Sequence, residues 1–364
     1  MKRRLLLGLF LSGLLIFSDF FCLKCMAAGV THKDLKVKTS YGVKQVRAVY
    51  IDLNDPSIQI YSVLAKGSVK QTESLASMAK RNGAVAAING TFFASYSDMQ
   101  PQGNLQINGL FQHLSNSGSS VGFTANNQVR FATIHSKIDG KVDGPSKSGL
   151  RSWEQYLKNW YAWGINRTNT DPKAIMIYTP AWGAKVSGMN GTKVAVSNGI
   201  VTAVSSGDTA IPSNGYVINI GSGSSTYVGR FSIGDTVSYS ISFTDVWGSP
   251  VDWSNVINTV GAGPMLVVDG QVDVDPLREG MKDPKITSNS GARSFIGVTP
   301  SNQLVMATTP GATTKQLAAI AQKMGLSYAM NLDGGASSGL YYKGKYITSP
   351  GRNLSNCLVV KLKK

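Results

Sequence analysis

The chain has 364 residues and a formal charge of +16, with 36 lysines and arginines against 20 aspartates and glutamates, three histidines and three cysteines. Glutamate is confined to Glu73, Glu154 and Glu279, so a glycosidase centre built on paired glutamates is hard to assemble. So few cysteines exclude a disulfide framework, and the length is enough for burial alone to hold a fold.

The amino terminus reads as an export signal. Met1-Lys2-Arg3-Arg4 precedes an apolar run from Leu5 to Phe17, and small residues follow at Ala27 and Ala28. A signal peptide over residues 1–28, cleaved near Ala27 or Ala28, implies a secreted or cell-envelope protein; an uncleaved membrane anchor is the alternative. Neither Cys22 nor Cys25 follows a lipoprotein pattern. Both would leave with the leader, so their C-x-x-C spacing is not a metal or redox motif. Cys357 remains, in the apolar run Cys357-Leu358-Val359-Val360, and is expected in the core. Residues 1–30 carry a net charge of +3, which leaves +13 on the rest. That surplus suits a polyanionic partner such as a wall polymer or phosphorylated glycan. No basic helix or aromatic-interleaved patch points to nucleic acid.

Next, Val43 to Leu53 alternates as a strand. Thr72 is placed to cap a helix through Arg81 or Asn82, with Leu75, Met78 and Ala79 inward and Gly83 as its stop. Asn108-Gly109, Asn198-Gly199 and Asp269-Gly270 each separate β-prone runs and predict tight hairpins. A short helix is expected from Ser152 to Trp160, and a β-rich lobe over 174–245. Thr313 and Gln316 form a capping box ahead of Leu317, Ile320, Ala321 and Met324, and Gly325 ends that helix. The two clear helices match at a constant offset of 242: each runs into a glycine, an apolar strand and an asparagine, Asn89 or Asn331. Two structurally equivalent units should therefore deliver these asparagines to neighbouring strand ends. The expected class is α+β, with a mixed β-sheet core, two helix-to-strand units and a β-rich middle lobe.

Four motifs carry candidate chemistry. Asn331-Leu332-Asp333-Gly334-Gly335-Ala336-Ser337-Ser338 stops an apolar strand at an acid, two glycines and two hydroxyls; glycines there let a ligand approach the backbone. Ala87-Ile88-Asn89-Gly90-Thr91-Phe92-Phe93 repeats the arrangement with an amide and an aromatic pair suited to a sugar face. Arg293, just before an apolar strand, suits phosphate or carboxylate. Gly261-Ala262-Gly263-Pro264 offers a bend whose amides can form an anion nest. Asp269, Asp273 and Asp275 can gather round calcium, but they lack an EF-hand pattern, and no cofactor is demanded.

In this order the four motifs resemble the phosphodiester glycosidase family, which includes N-acetylglucosamine-1-phosphodiester α-N-acetylglucosaminidase and bacterial proteins linked to exopolysaccharide biosynthesis. The likeness spans residues 41–362. Thr91 stands where many relatives have Asp or Gly, Ser294 where Thr is common, and Ala336 where a third glycine is usual. The resemblance implies a hydrolase that cleaves the glycosidic bond of sugar-1-phosphodiesters and releases sugar and phosphomonoester. It casts Asp333 as the carboxylate, Arg293 as the phosphate clamp and Asn89 as a third catalytic residue. Asn331, Gly334, Gly335, Ser337, Ser338, Gly90, Thr91, Phe92 and Gly263 would bind substrate. Of the histidines, His113 is the one candidate for a peripheral acid. Two other readings stay open: a glycan-binding or exopolysaccharide-assembly protein without catalysis, and a phosphodiesterase that cuts the phosphorus–oxygen bond.

Overall fold

The computed structural model describes residues 29–116 and 118–363. The expected leader over 1–28 lies outside them. Among the described residues no helix is long and apolar enough to cross a membrane.

Strand dominates, at 46% against 15% helix, so the α+β expectation holds only with its weight shifted toward β. The hairpin signals read from the sequence are present. Asn108, Asn198 and Asp269 all take positive φ, as do Gly109, Gly199 and Gly270, and each pair joins two antiparallel strands. This is the two-residue turn whose twist matches its strands.

The helices show which local signals decided the outcome. α1 covers Leu75–Arg81 and is capped by Ser74, whose hydroxyl accepts from the Ser77 amide, not by Thr72. Both residues are capable caps; the backbone turns extended at Ser74, and that selects it. A single helical turn, α2, spans Pro284–Thr287. α3 covers Thr314–Lys323 with the reciprocal Thr313–Gln316 box formed at 3.1 and 3.2 Å. The segment after Arg151 is a 3-10 helix, Ser152–Lys158, and yields to a strand at Asn159.

α1 and α3 occupy equivalent places. The strand Ile58–Leu64 leads through α1 to the strand Ala86–Asn89, and Asn356–Leu362 lies between them, antiparallel to both. In the same way Gln303–Ala312 leads through α3 to Tyr328–Asn331, and Gly291–Val298 lies between, antiparallel to both. Each unit is thus a split β-α-β crossover. The inserted strand also explains why the expected mixed core is antiparallel instead. The parallel pairing found among the described strands, Gly164–Ile165 with Ile175–Tyr178, lies in the lobe.

The first unit belongs to a five-stranded sheet and the second to a seven-stranded sheet. α1 packs Leu75, Met78 and Ala79 on Val63, Ala87 and Val359. α3 packs Leu317, Ile320 and Ala321 on Leu266, Phe295 and Ala329. The opposite faces of the two sheets share one core, in which Ile88 and Leu358 join Ile296, Met306 and Met330. The result is four layers, helix–sheet–sheet–helix, with alternate residues of each strand facing opposite ways. A second five-stranded sheet joins this core through Leu105, Val121 and Val260. The lobe is an eight-stranded sheet that already begins at His135–Asp143, earlier than the expected 174, and has its own core around Ile138, Ile218 and Trp253. Cys357 is buried and free.

Candidate active site

The loops after the two equivalent strands meet. The Asp333 amide donates to the Gly90 carbonyl at 3.2 Å, and Asn89 Nδ2 donates to the Asp333 carbonyl at 2.7 Å. Asn89 Oδ1 in turn accepts from the Gly339 amide at 3.0 Å. Asn331 Nδ2 donates to the Gly263 carbonyl at 2.7 Å. The two asparagines end their strands at a common junction, as the offset of 242 suggested. Their amide nitrogens, however, are committed to backbone: Asn89 is 1% exposed and faces no cleft. Asn89 braces the Asp333 loop from behind, Asn331 ties its strand end to the Gly263 bend with its Oδ1 unpartnered among the described residues, and neither lines the cleft.

In front of that junction opens a cleft of about 1090 Å³, lined by Asp333, Gly334, Gly335, Ser337, Arg293, Phe92, Tyr96, His113, Arg167 and Arg352 among others. Asp333 lies at its floor. Its carboxylate accepts from the Gly334 amide at 2.9 Å and from the Ser337 hydroxyl, and feels the positive charge of Arg352. Those contacts favour the ionised form, but loss of water around the group outweighs them and pushes its pKa up to about 6. The Gly334 amide is therefore occupied, whereas Gly335, at φ +58, lines the cleft and its amide donates no hydrogen bond among the described residues.

Arg293 is only 5% exposed and makes no ion pair among the described residues. Nε donates to the Ala312 carbonyl at 2.9 Å, and Nη2 to the carbonyls of Lys285 and Asn289, both at 2.7 Å. Those three bonds use the Nε hydrogen and both Nη2 hydrogens, so Nη1 alone is left for a ligand. The expected two-pronged clamp is thereby reduced to one nitrogen. That nitrogen faces Gly334, where an added Cβ would sit 3.7 Å from Nη1 and 2.9 Å from the Ala292 carbonyl.

Other expected substrate contacts lie behind the wall. Gly90 has no room for a side chain beside Asn356, and Thr91 is 2% exposed, its hydroxyl accepting from the Gly103 amide at 3.1 Å. Ser338 is buried outside the lining. The proposed nest does not exist: the amides of Gly261, Ala262 and Gly263 donate to the carbonyls of Asn104, Ser119 and Asn331. Gly263 is required for closeness instead, since a Cβ there would lie 2.6 Å from Glu279 Oε2. Glu279 is buried behind the bend, accepting from the Met265 amide at 2.7 Å and Ser119 Oγ at 2.8 Å, and burial raises its pKa.

The cleft also holds charges that the motifs did not reveal. Arg167, Lys282, Lys285 and Arg352 line it with Arg293, and none of the five makes an ion pair among the described residues. The remaining carboxylates are engaged: Asp283 caps α2 through the Lys285 amide, and Asp98 holds Gln100 and Thr168. Five cations without ion pairs therefore surround the Asp333 carboxylate, a surplus of positive charge that attracts anions. Phe92 and the 86%-exposed Tyr96 add aromatic surface suited to a sugar ring. Asp269, Asp273 and Asp275 do not converge: Asp269 accepts from Tyr328, Asp273 pairs with Arg278 at 2.8 Å, and Asp275 caps the turn at Leu277. No cluster of three metal-ligating side chains occurs among the described residues. A smaller cavity of about 350 Å³ in the lobe, around Asn190, Gly221 and Ser222, has no ionisable side chain in its wall.

The cleft thus combines an acid and a wall of cations beside the ends of the two equivalent strands. The phosphodiester glycosidase family model matches residues 190–361, so the resemblance read from the motifs is shown over that stretch, which includes Gly263, Arg293 and Asp333. A hypothetical protein from Synechocystis has the same fold at a TM-score of 0.78 and 24% identity; the alignment covers 92% of this chain and 62% of that one. This chain thus spans less than two thirds of the Synechocystis protein. The "putative exported protein" of Burkholderia pseudomallei K96243 shares the fold at a TM-score of 0.68 and 17% identity, covering 88% of this chain and 74% of that one. The zebrafish N-acetylglucosamine-1-phosphodiester alpha-N-acetylglucosaminidase catalytic domain aligns over 92% of this chain and 82% of its own, at 12% identity and a TM-score of 0.47, too low to bear on the fold. No curated protein matches the chain.

Proposed function

We propose that this protein hydrolyses the glycosidic bond of a sugar-1-phosphodiester, of the N-acetylglucosamine-1-phosphodiester type, in cell-envelope or extracellular glycans. The observation that carries the reading is the joint placement of Asp333 and Arg293 on one cleft whose cations have no carboxylate partners. In the reaction the bond from C1 to the bridging oxygen breaks, and its electron pair leaves with the phosphate. A phosphomonoester is a good leaving group, so no strong general acid is required. Arg293 Nη1 and the Gly335 amide meet the charge that grows on the departing phosphate. The Asp333 carboxylate stabilises the oxocarbenium-like centre and takes the proton of the attacking water, whose oxygen bonds to C1.

Asp333→Ala is expected to abolish sugar release from a sugar-1-phosphodiester while the melting profile stays cooperative. Wild-type turnover by that variant would remove Asp333 from the mechanism. In ¹⁸O-water the label should appear in the sugar; label in the phosphate would make the protein a phosphodiesterase. Tight binding of a phosphorylated glycan with no turnover of any phosphodiester would leave it a glycan-binding protein.

A further inference from the structure

One wall of the cleft carries a pair of side chains that the reaction above does not use. His113 ends the strand Leu110–His113 and is 2% exposed, yet it lines the cleft. Its Nδ1 lies 2.8 Å from the Gly103 carbonyl oxygen. A carbonyl only accepts, so Nδ1 carries the hydrogen and Nε2 keeps a lone pair. No group among the described residues donates to that lone pair. Gly103 is itself fixed: Thr91 Oγ1 accepts from its amide, and a Cβ on it would strike the Gly261 carbonyl at 1.9 Å.

Arg167 stands beside this imidazole. Asn166, at φ +51, donates through Nδ2 to the Gln112 carbonyl and to Thr179 Oγ1, both at 2.7 Å, and the Arg167 carbonyl accepts from Tyr178 at 2.9 Å. Leu114 and Ile165 form a β-bridge between the same two segments. The Arg167 side chain, by contrast, makes no hydrogen bond or ion pair among the described residues and lines the cleft. A buried scaffold of Asn166, Tyr178, Gly103 and Thr91 thus holds two uncommitted groups at one place: a neutral acceptor and a cationic donor.

We infer that His113 and Arg167 form a recognition subsite for a neutral sugar substituent offering one hydrogen-bond donor and one acceptor side by side, as an acetamido group or two adjacent hydroxyls do. The donor meets His113 Nε2 and the acceptor meets the Arg167 guanidinium. An ionised carboxylate, which has no hydrogen to give, satisfies Arg167 but turns its lone pairs toward the lone pair of Nε2. Protonating the imidazole would relieve that clash. Burial and the adjacent charge of Arg167 oppose it, holding the ring's pKa down at about 4. The subsite therefore discriminates by what it cannot donate, and at neutral pH its selectivity does not change with pH.

The inference rests on the glycosidase reading for the identity of the ligand, but its test needs no turnover. The probes are methyl α-N-acetylglucosaminide, methyl α-glucoside, glucuronate and inorganic phosphate. Each is titrated into the wild-type chain and Arg167→Met, with calorimetry for affinity and ¹⁵N imidazole shifts for His113. At least one neutral sugar should bind and perturb the Nε2 signal while the ring stays neutral. Comparison of the two glucosides tells an acetamido reader from a diol reader. Arg167→Met should weaken that binding roughly tenfold or more, the usual scale of a hydrogen bond to a charged group. Three results would overturn the assignment: no neutral sugar binds, glucuronate or phosphate binds more tightly and protonates His113, or Arg167→Met leaves affinity unchanged. Sugar binding of the expected kind without any hydrolysis would instead sink the catalytic reading and leave the subsite standing.

Discussion

At the scale of single residues, the chemistry turns on how strongly Asp333 is desolvated. Its carboxyl titrates at about 6 in the folded protein against 3.8 for the ordinary group. The catalytic role needs the ionised form, so kcat/KM should rise with pH and level off above about 6. Arg352 opposes the upward shift, and its own side chain is held by Ser95 Oγ at 2.5 Å and by the Tyr96 hydroxyl at 3.0 Å. Arg352→Met should therefore move the acid limb to higher pH; an unmoved limb would detach that cation from the acid. The same shift makes a stability claim of opposite sign. An unfolded Asp333 ionises near 3.8 while the folded one stays protonated to about 6, so its contribution to folding stability is highest below about 4. It falls between those values and is flat above. Asp333 and Arg293 were legible because each sits in a short run whose residue types are unusual for a strand end. His113 was singled out only as a peripheral acid, and Arg167 and Arg352 were not singled out, since each is a lone residue in an ordinary loop or strand and becomes chemical only through what folds beside it.

At the scale of elements, the repeated helix–glycine–strand–asparagine pattern was the most informative signal, because spacing survives where side chains diverge. It located both crossover units without showing that a third strand enters each, since that strand comes from elsewhere in the chain. The family resemblance cast Asn89, at one of these strand ends, as catalytic and Asn331, at the other, as substrate-binding. A polar residue closing a buried strand satisfies backbone at least as often as it meets a ligand: here Asn89 spends both ends of its amide on backbone, and Asn331 donates to the Gly263 carbonyl while its Oδ1 has no partner among the described residues. Asn89→Ala removes two such bonds and leaves the Gly339 amide without its partner. It should cost about 1–3 kcal/mol of stability and lower kcat well beyond any change in KM, by letting the Asp333 loop move. Thr313→Ala, which loses the α3 cap for about 1 kcal/mol, is the control: it should melt earlier with kcat unchanged. Equal losses of kcat in both variants would show that Asn89 acts through stability alone.

At the scale of the molecule, the formal charge of +16 is more than a general surface property, because five of the cations converge on one cleft without an ion-pair partner among the described residues. Association with an anionic substrate should weaken as salt rises from about 10 to 150 mM, where the screening length shrinks from roughly 30 to 8 Å. The measured quantity is kcat/KM, with a several-fold fall for a phosphodiester and little change for a neutral aryl glycoside. A flat profile would mean that the cleft cations are screened already and do not steer. Composition announced the charge but not its focus, which depends on three segments distant in sequence, at Arg167, at 282–293 and at Arg352.

The twin crossovers have one further consequence. Both open their strand ends at the same junction, but one mouth holds an acid and the other an amide locked to the backbone. Two matching halves have thus settled into a division of labour, with one bearing the acid of the proposed reaction and the other serving as its rigid mount. Any change that loosens the mount will be felt as lost catalysis at a position that never touches the substrate.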